Sequence, residues 1–68
     1  LIDKSIFYLE KAVSMMPNDA TLNDHLGDAY WKSGRRKEAS SQWKRVLIIE
    51  PNFKNKEKIL KKLELGIK

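Results

Sequence analysis

The sequence predicts an all-α protein: four helices, antiparallel in succession and joined by short turns, in the manner of a helix–turn–helix repeat or a piece of an α–α solenoid. Two observations carry this. Apolar residues recur three and four positions apart through nearly the whole chain, the spacing that lines one face of a helix. The dipeptide Pro17-Asn18 recurs as Pro51-Asn52, 34 residues on, with Gly34 midway between, so the breaks in periodicity are themselves periodic. Short connections between consecutive helices force them antiparallel.

The first helix is expected over about 2–16, with Ile2, Ile6, Leu9, Ala12, Val13 and Met16 on one stripe and Phe7 and Tyr8 widening it. Pro17 ends it, because a residue preceding proline avoids helical geometry. Asn18 and Asp19 can each accept from the free N–H groups that open a new helix, and the Asp19 charge suits its positive end. The second helix then runs over about 19–33 with Leu22, Leu26, Ala29 and Tyr30 inward. Gly27 lies beside that face. Glycine inside a helix costs about 1 kcal/mol relative to alanine, which close approach of a neighbouring helix would offset. Gly34 fits the left-handed residue that commonly follows a helix. The third helix is expected over about 36–49, with Ala39, Trp43, Val46, Leu47 and Ile49 inward or partly so, and Pro51 stops it. The fourth is expected over about 53–65, presenting Phe53, Ile59, Leu60, Leu63 and Ile67 on one side and fraying near Gly66.

At the 34-residue offset Ser5 aligns with Ala39, Leu9 with Trp43, Ala12 with Val46 and Val13 with Leu47. Together with Leu26-Gly27, Tyr30, Ala39, Trp43 and Pro51, this resembles the tetratricopeptide repeat. The resemblance implies a half repeat at 1–19, a full repeat at 20–53 and a capping helix at 54–68. Two positions depart from the family pattern. Asn23 stands where a tryptophan is usual, which predicts thinner packing there, and Val46 replaces a small alanine, which predicts wider helix spacing. The resemblance further implies a curved antiparallel stack that binds other proteins through a concave groove.

Composition narrows the function. Sixty-eight residues make one small domain without cysteine, so neither disulfides nor thiolate metal sites brace it. No apolar run approaches the roughly 20 residues of a membrane-spanning helix, and no signal-peptide pattern is present. His25 is the only histidine, and no nucleophile, metal-ligand set or phosphate-binding glycine spacing accompanies the paired carboxylates Asp24 and Asp28. We expect no enzyme activity, cofactor, metal or small-molecule substrate, and read His25 as a half-buried packing residue against the first helix. The net charge of +5 is concentrated in the lysines that follow Phe53. That helix lacks the interleaved aromatics that stack bases, and its apolar side is narrow and without tryptophan, which argues against nucleic acid and membrane partners.

Thr21, Asp24, Asp28, Trp31 and Lys32 form a stripe on the second helix away from Leu22, Leu26 and Tyr30. The resemblance places this stripe in the groove. Its two carboxylates suit a basic or polar peptide, and an accessible Trp31 suits a binding anchor. The alternative is that Trp31 packs on a neighbouring helix and Asp28 pairs with Lys32 at i, i+4. Arg35 and Arg36 are read as satisfying carbonyls at the end of the second helix. Finally, one and a half repeats leave the first helix without its hairpin partner. We therefore expect either excision from a longer array or self-association, most simply as a two-fold dimer, through Ile2, Ile6, Phe7, Tyr8 and Leu9. A structural capping unit with no ligand of its own is the alternative function.

Overall fold

The computed structural model describes residues 2–67, with Leu1, Lys68 and the Ile2 side chain outside the described set, so the expectation for Ile2 lies outside it too. Four helices follow one another: α1 (Ile2–Met15), α2 (Ala20–Lys32), α3 (Arg36–Ile49) and α4 (Lys56–Leu65), with no strand among the described residues. Packing runs α1 on α2, α2 on α3 and α3 on α4, with α2 and α3 in the most extensive contact. The result is a slab of 29 × 28 × 16 Å.

The 34-residue period is present in the backbone. Both α1 and α3 have 14 residues, and their bounds are offset by that interval. The turns after them carry the same hydrogen bonds. Met16 N donates to Ala12 O and Asp19 N to Met16 O, and correspondingly Glu50 N donates to Val46 O and Phe53 N to Glu50 O. The two turns then diverge. Asp19 accepts from Leu22 N at 2.9 Å and starts α2 at once. Phe53, its counterpart, has no side-chain acceptor and is buried instead, and Asn55 makes no capping bond. So α4 starts at Lys56 rather than near Phe53, a correction to the sequence expectation that follows from the missing cap. Between α2 and α3, Gly34 has φ 86°, Gly34 N donates to Trp31 O and Arg35 N to Tyr30 O, the paired bonds of a Schellman turn.

The core comprises Ile6, Ala20, Leu26, Ala29, Tyr30, Ala39, Trp43, Val46, Phe53 and Ile59. Several expectations are corrected. Ile6 is buried and Leu9 partly so, because both face α2, which leaves Phe7 and Tyr8, each 61% exposed, as the open apolar surface of α1. Met16 and Leu60 are exposed. His25 is exposed rather than half-buried, because at 100° per residue it falls on the outer line of α2 with Thr21 and Lys32. Asn23 does not thin the packing. It is fully buried, and its Nδ2 donates to Pro17 O and Asp19 O at 3.1 and 2.9 Å, so a side-chain amide ties the first turn to α2. Asn23 Oδ1 is buried without a partner.

At Gly27 the Trp43 side chain of α3 lies directly against α2: a β-carbon there would lie 2.5 Å from Trp43 Nε1 and 2.6 Å from Trp43 Cδ1. Trp43 cannot retreat, because it is itself fully buried. Gly27→Ala should therefore destabilise the chain by about 1–3 kcal/mol despite alanine's better helix propensity. Urea denaturation followed by circular dichroism measures this, and a stabilised variant would contradict the close-approach account.

Candidate functional site

The stripe Thr21, Asp24, Asp28, Trp31, Lys32 divides in the folded chain. Thr21 and Lys32 face solvent. Asp24 and Trp31 lie 60–80° round the helix from Thr21 by the helical period of about 100° per residue, on the side where α4 crosses. Asp28 sits between the two groups and is half-buried.

The structure brings Asp24, Asp28 and Trp31 together with residues that sequence reasoning assigned elsewhere. Lys62 of α4 donates through Nζ to Asp24 Oδ1 at 2.9 Å and to Asp28 Oδ1 and Oδ2 at 2.9 and 3.2 Å. Asp28 Oδ1 also accepts from Trp43 Nε1 at 3.1 Å. The Lys62 ammonium lies 5.8 Å from the Trp43 ring centre, within cation–π range. Trp31 stacks obliquely on Trp43 with centroids 5.8 Å apart, and its Nε1 donates to Ile67 O at 3.1 Å. The Trp31 ring also covers Gly66, whose φ is 75° and where a β-carbon would overlap the indole. Arg36 lies over the outer part of Trp31 at 4.6 Å. One cation thus serves two carboxylates above a tryptophan, and a second tryptophan holds the Ile67 carbonyl after α4.

Burial of Lys62 weakens its hold on the proton, but the hydrogen bonds to Asp24 and Asp28 and their charges outweigh that, and its pKa is raised above the ordinary 10.5. Asp28 does not pair with Lys32. Its acceptors are taken by Lys62 and Trp43, which corrects the i, i+4 pairing, while Trp31 is partly buried and packs on Trp43 of the neighbouring α3, as the alternative reading has it, rather than standing open as an anchor.

A second polar cluster joins the other helices. Tyr30 Oη donates to Glu10 Oε2 at 2.5 Å. The Arg35 guanidinium lies 4.5 Å over the Tyr30 ring and donates to Glu38, with Glu10 at 4.0 Å. Arg35 and Arg36 therefore cover aromatic rings instead of capping carbonyls with their side chains. Burial first, then the bond to Glu10, pushes the Tyr30 phenol from 10.0 up to about 12.

Sequence reasoning missed Lys62, Gly66 and Asn23. The available signal for Lys62 was its place between Ile59 and Leu63, at the border of the apolar side of α4, opposite two acids spaced i, i+4 on α2. Among the described residues no group of three or more His, Asp or Glu is placed to hold a metal ion, and no helix is long and apolar enough to cross a membrane. Comparison of the chain with family models, with curated proteins and with solved structures yields no match.

Two outcomes follow. Lys62→Ala leaves Asp24 and Asp28 facing one another without a cation and should cost about 2–3 kcal/mol at neutral pH, while Lys62→Arg should recover part of that; equal stability of the alanine variant and the parent would remove the ion cluster from the account. The second concerns pH. Tyr30 and Lys62 both hold their protons more tightly when folded, so their contributions are complete below pH 10.0 and decline as pH rises toward and beyond about 12. Denaturation midpoints should fall over that alkaline window, and Tyr30→Phe should lessen the fall.

Proposed function

We propose that this chain is a non-enzymatic protein-interaction module of the tetratricopeptide kind, whose α2 stripe engages a segment of a partner protein. The observation that carries the reading is that the stripe already holds a peptide segment. The chain's own C-terminal segment, packed on α3 through α4, reaches over it through Lys62 to Asp24 and Asp28 and, beyond the helix, through the Ile67 carbonyl to Trp31. The residues of that contact are those a peptide site needs: acceptors for a cation, an indole donor for a backbone carbonyl, and flat aromatic area. The 34-residue recurrence of helix bounds and turn bonds supports the family reading. Thr21 and Lys32 extend the stripe into solvent, where a partner contacts them without moving the fold.

A second reading rests on a separate observation. Phe7 and Tyr8 are exposed and pack edge-to-face on each other at 5.5 Å, without supporting the core. They suit self-association through α1, with Leu9 at the margin.

Selection of binders from a displayed peptide library tests the first reading. The selected peptides should lose at least tenfold in affinity for the doubly substituted Thr21→Arg, Lys32→Glu chain, which keeps its stability; binders indifferent to those changes and to Trp31→Ala would move the site off α2. Light scattering at two concentrations tests the second, with a mass that rises in the parent and does not in Phe7→Asp.

A further inference from the structure

The contact between α4 and the rest of the chain has the makeup of a receptor holding a ligand. Ile59 is fully buried and enters the core. Three residues on, Lys62 meets two carboxylates. Leu63 packs against the core, partly buried. Gly66 lies under Trp31, where any side chain would collide with the indole, and Ile67 offers its carbonyl to Trp31 Nε1. Each of these is a condition on what can lie there: an apolar residue, a cation three places later, a residue without a β-carbon four places after that, then a free carbonyl.

The hold on α4 is also comparatively weak. It has ten residues, its N-cap Asn55 makes no side-chain capping bond, and three exposed lysines (Lys56, Lys58 and Lys61) stand in its first two turns against one acid, Glu57. Isolated helices of this length are marginal in water, so α4 persists through its contacts. Lysines near the positive end of a helix dipole oppose it further.

We propose that the α2–α3 surface is a receptor for a segment of the form Ile-x-x-Lys-Leu-x-x-Gly, an amphipathic helix ended by a glycine of positive φ, and that α4 with Gly66 is its resident occupant, exchangeable for a partner helix of the same chemistry. This rests on the reading of the α2 stripe as a partner site and adds the class of partner and its competitor. The acid pair selects lysine or arginine at the fourth place and rejects an acid there. Trp31 selects glycine at the eighth. Because α4 is tethered at an effective concentration of about millimolar, a free partner competes against that and binds the parent chain weakly.

The test uses the full chain, isotopically labelled, and an unlabelled synthetic peptide of alanine and glutamine that carries only Ile, Lys, Leu and Gly at those spacings. Nuclear magnetic resonance follows α4. As the peptide is added, signals of residues 56–65 should move toward unfolded positions while those of α2 and α3 stay folded. Lys62→Met weakens the resident contact and should lower the peptide concentration needed at least tenfold. Peptides with Glu in place of Lys, or Ala in place of Gly, should compete at least tenfold less well. Should Lys62→Met fail to fold, the two altered peptides on the parent chain decide the matter alone. The proposal is overturned if the peptide leaves α4 in place up to its solubility limit, or if the altered peptides compete equally. Library binders that depend on Thr21 and Lys32 but lack the lysine and glycine would overturn this inference while leaving the partner site on α2 intact. Loss of both results would remove the two together.

Discussion

Trp43 is the residue on which the remaining structure depends. Its ring presses against Gly27 and so sets the separation of α2 and α3. Its N–H orients Asp28, its face supports Trp31, and the Lys62 ammonium sits within range of its π cloud. Burial of a side chain that size contributes on the order of 3 kcal/mol, but its position matters as much as its area. The same indole fills the seam of the helical hairpin and forms the floor of the site above it. Fold and site are therefore coupled through one rigid group, and a change that tilts Trp43 alters both.

The electrostatics are arranged around that floor. Two carboxylates on one helix face would repel each other if left alone. A single ammonium between them, half-removed from water, turns the repulsion into a specific contact between α2 and α4. The opposite end of the slab uses a different device: Arg35 lies over Tyr30 while Tyr30 donates to Glu10, so α1 is fastened by a phenol and a carboxylate rather than by a lysine. Tyr30 and Lys62 both hold their protons more tightly than usual, so the part of each contact that depends on those protons is lost as pH rises into the alkaline range.

Much of the fold was legible in the residues. Pro17 and Pro51, the glycine at 34 and the spacing of Leu26, Tyr30, Ala39, Trp43 and Val46 are local signals with local causes, and α3 follows them to the residue. The close approach at Gly27 was legible because a helical glycine demands a reason. The late start of α4 was not, since Phe53 reads as part of an apolar stripe until its lack of a capping oxygen is compared with Asp19. The site was half legible. Asp24, Asp28 and Trp31 share one side of a helix by period alone, but what covers them depends on where a segment more than thirty residues away crosses. Sequence spacing carries no such information. A lysine among six in a tail has only its place at the border of an apolar stripe to distinguish it, and Asn23 looked like a weak substitute because its value lies in two backbone carbonyls of the preceding turn.

The unequal capping of the two equivalent turns has a kinetic side. Where Asp19 stands, helix initiation is assisted by a side chain already in place, and Asn23 then locks the turn from within. At Phe53 neither device exists, and α4 can form only after α3 offers a surface for it. Opening free energies should then fall from the α2–α3 pair to α4, with α2 and α3 as the slow-exchanging unit and α4 as a faster one. Such a gradient makes the C-terminal end the place where the molecule breathes, on a timescale that the cap chemistry of one turn determines.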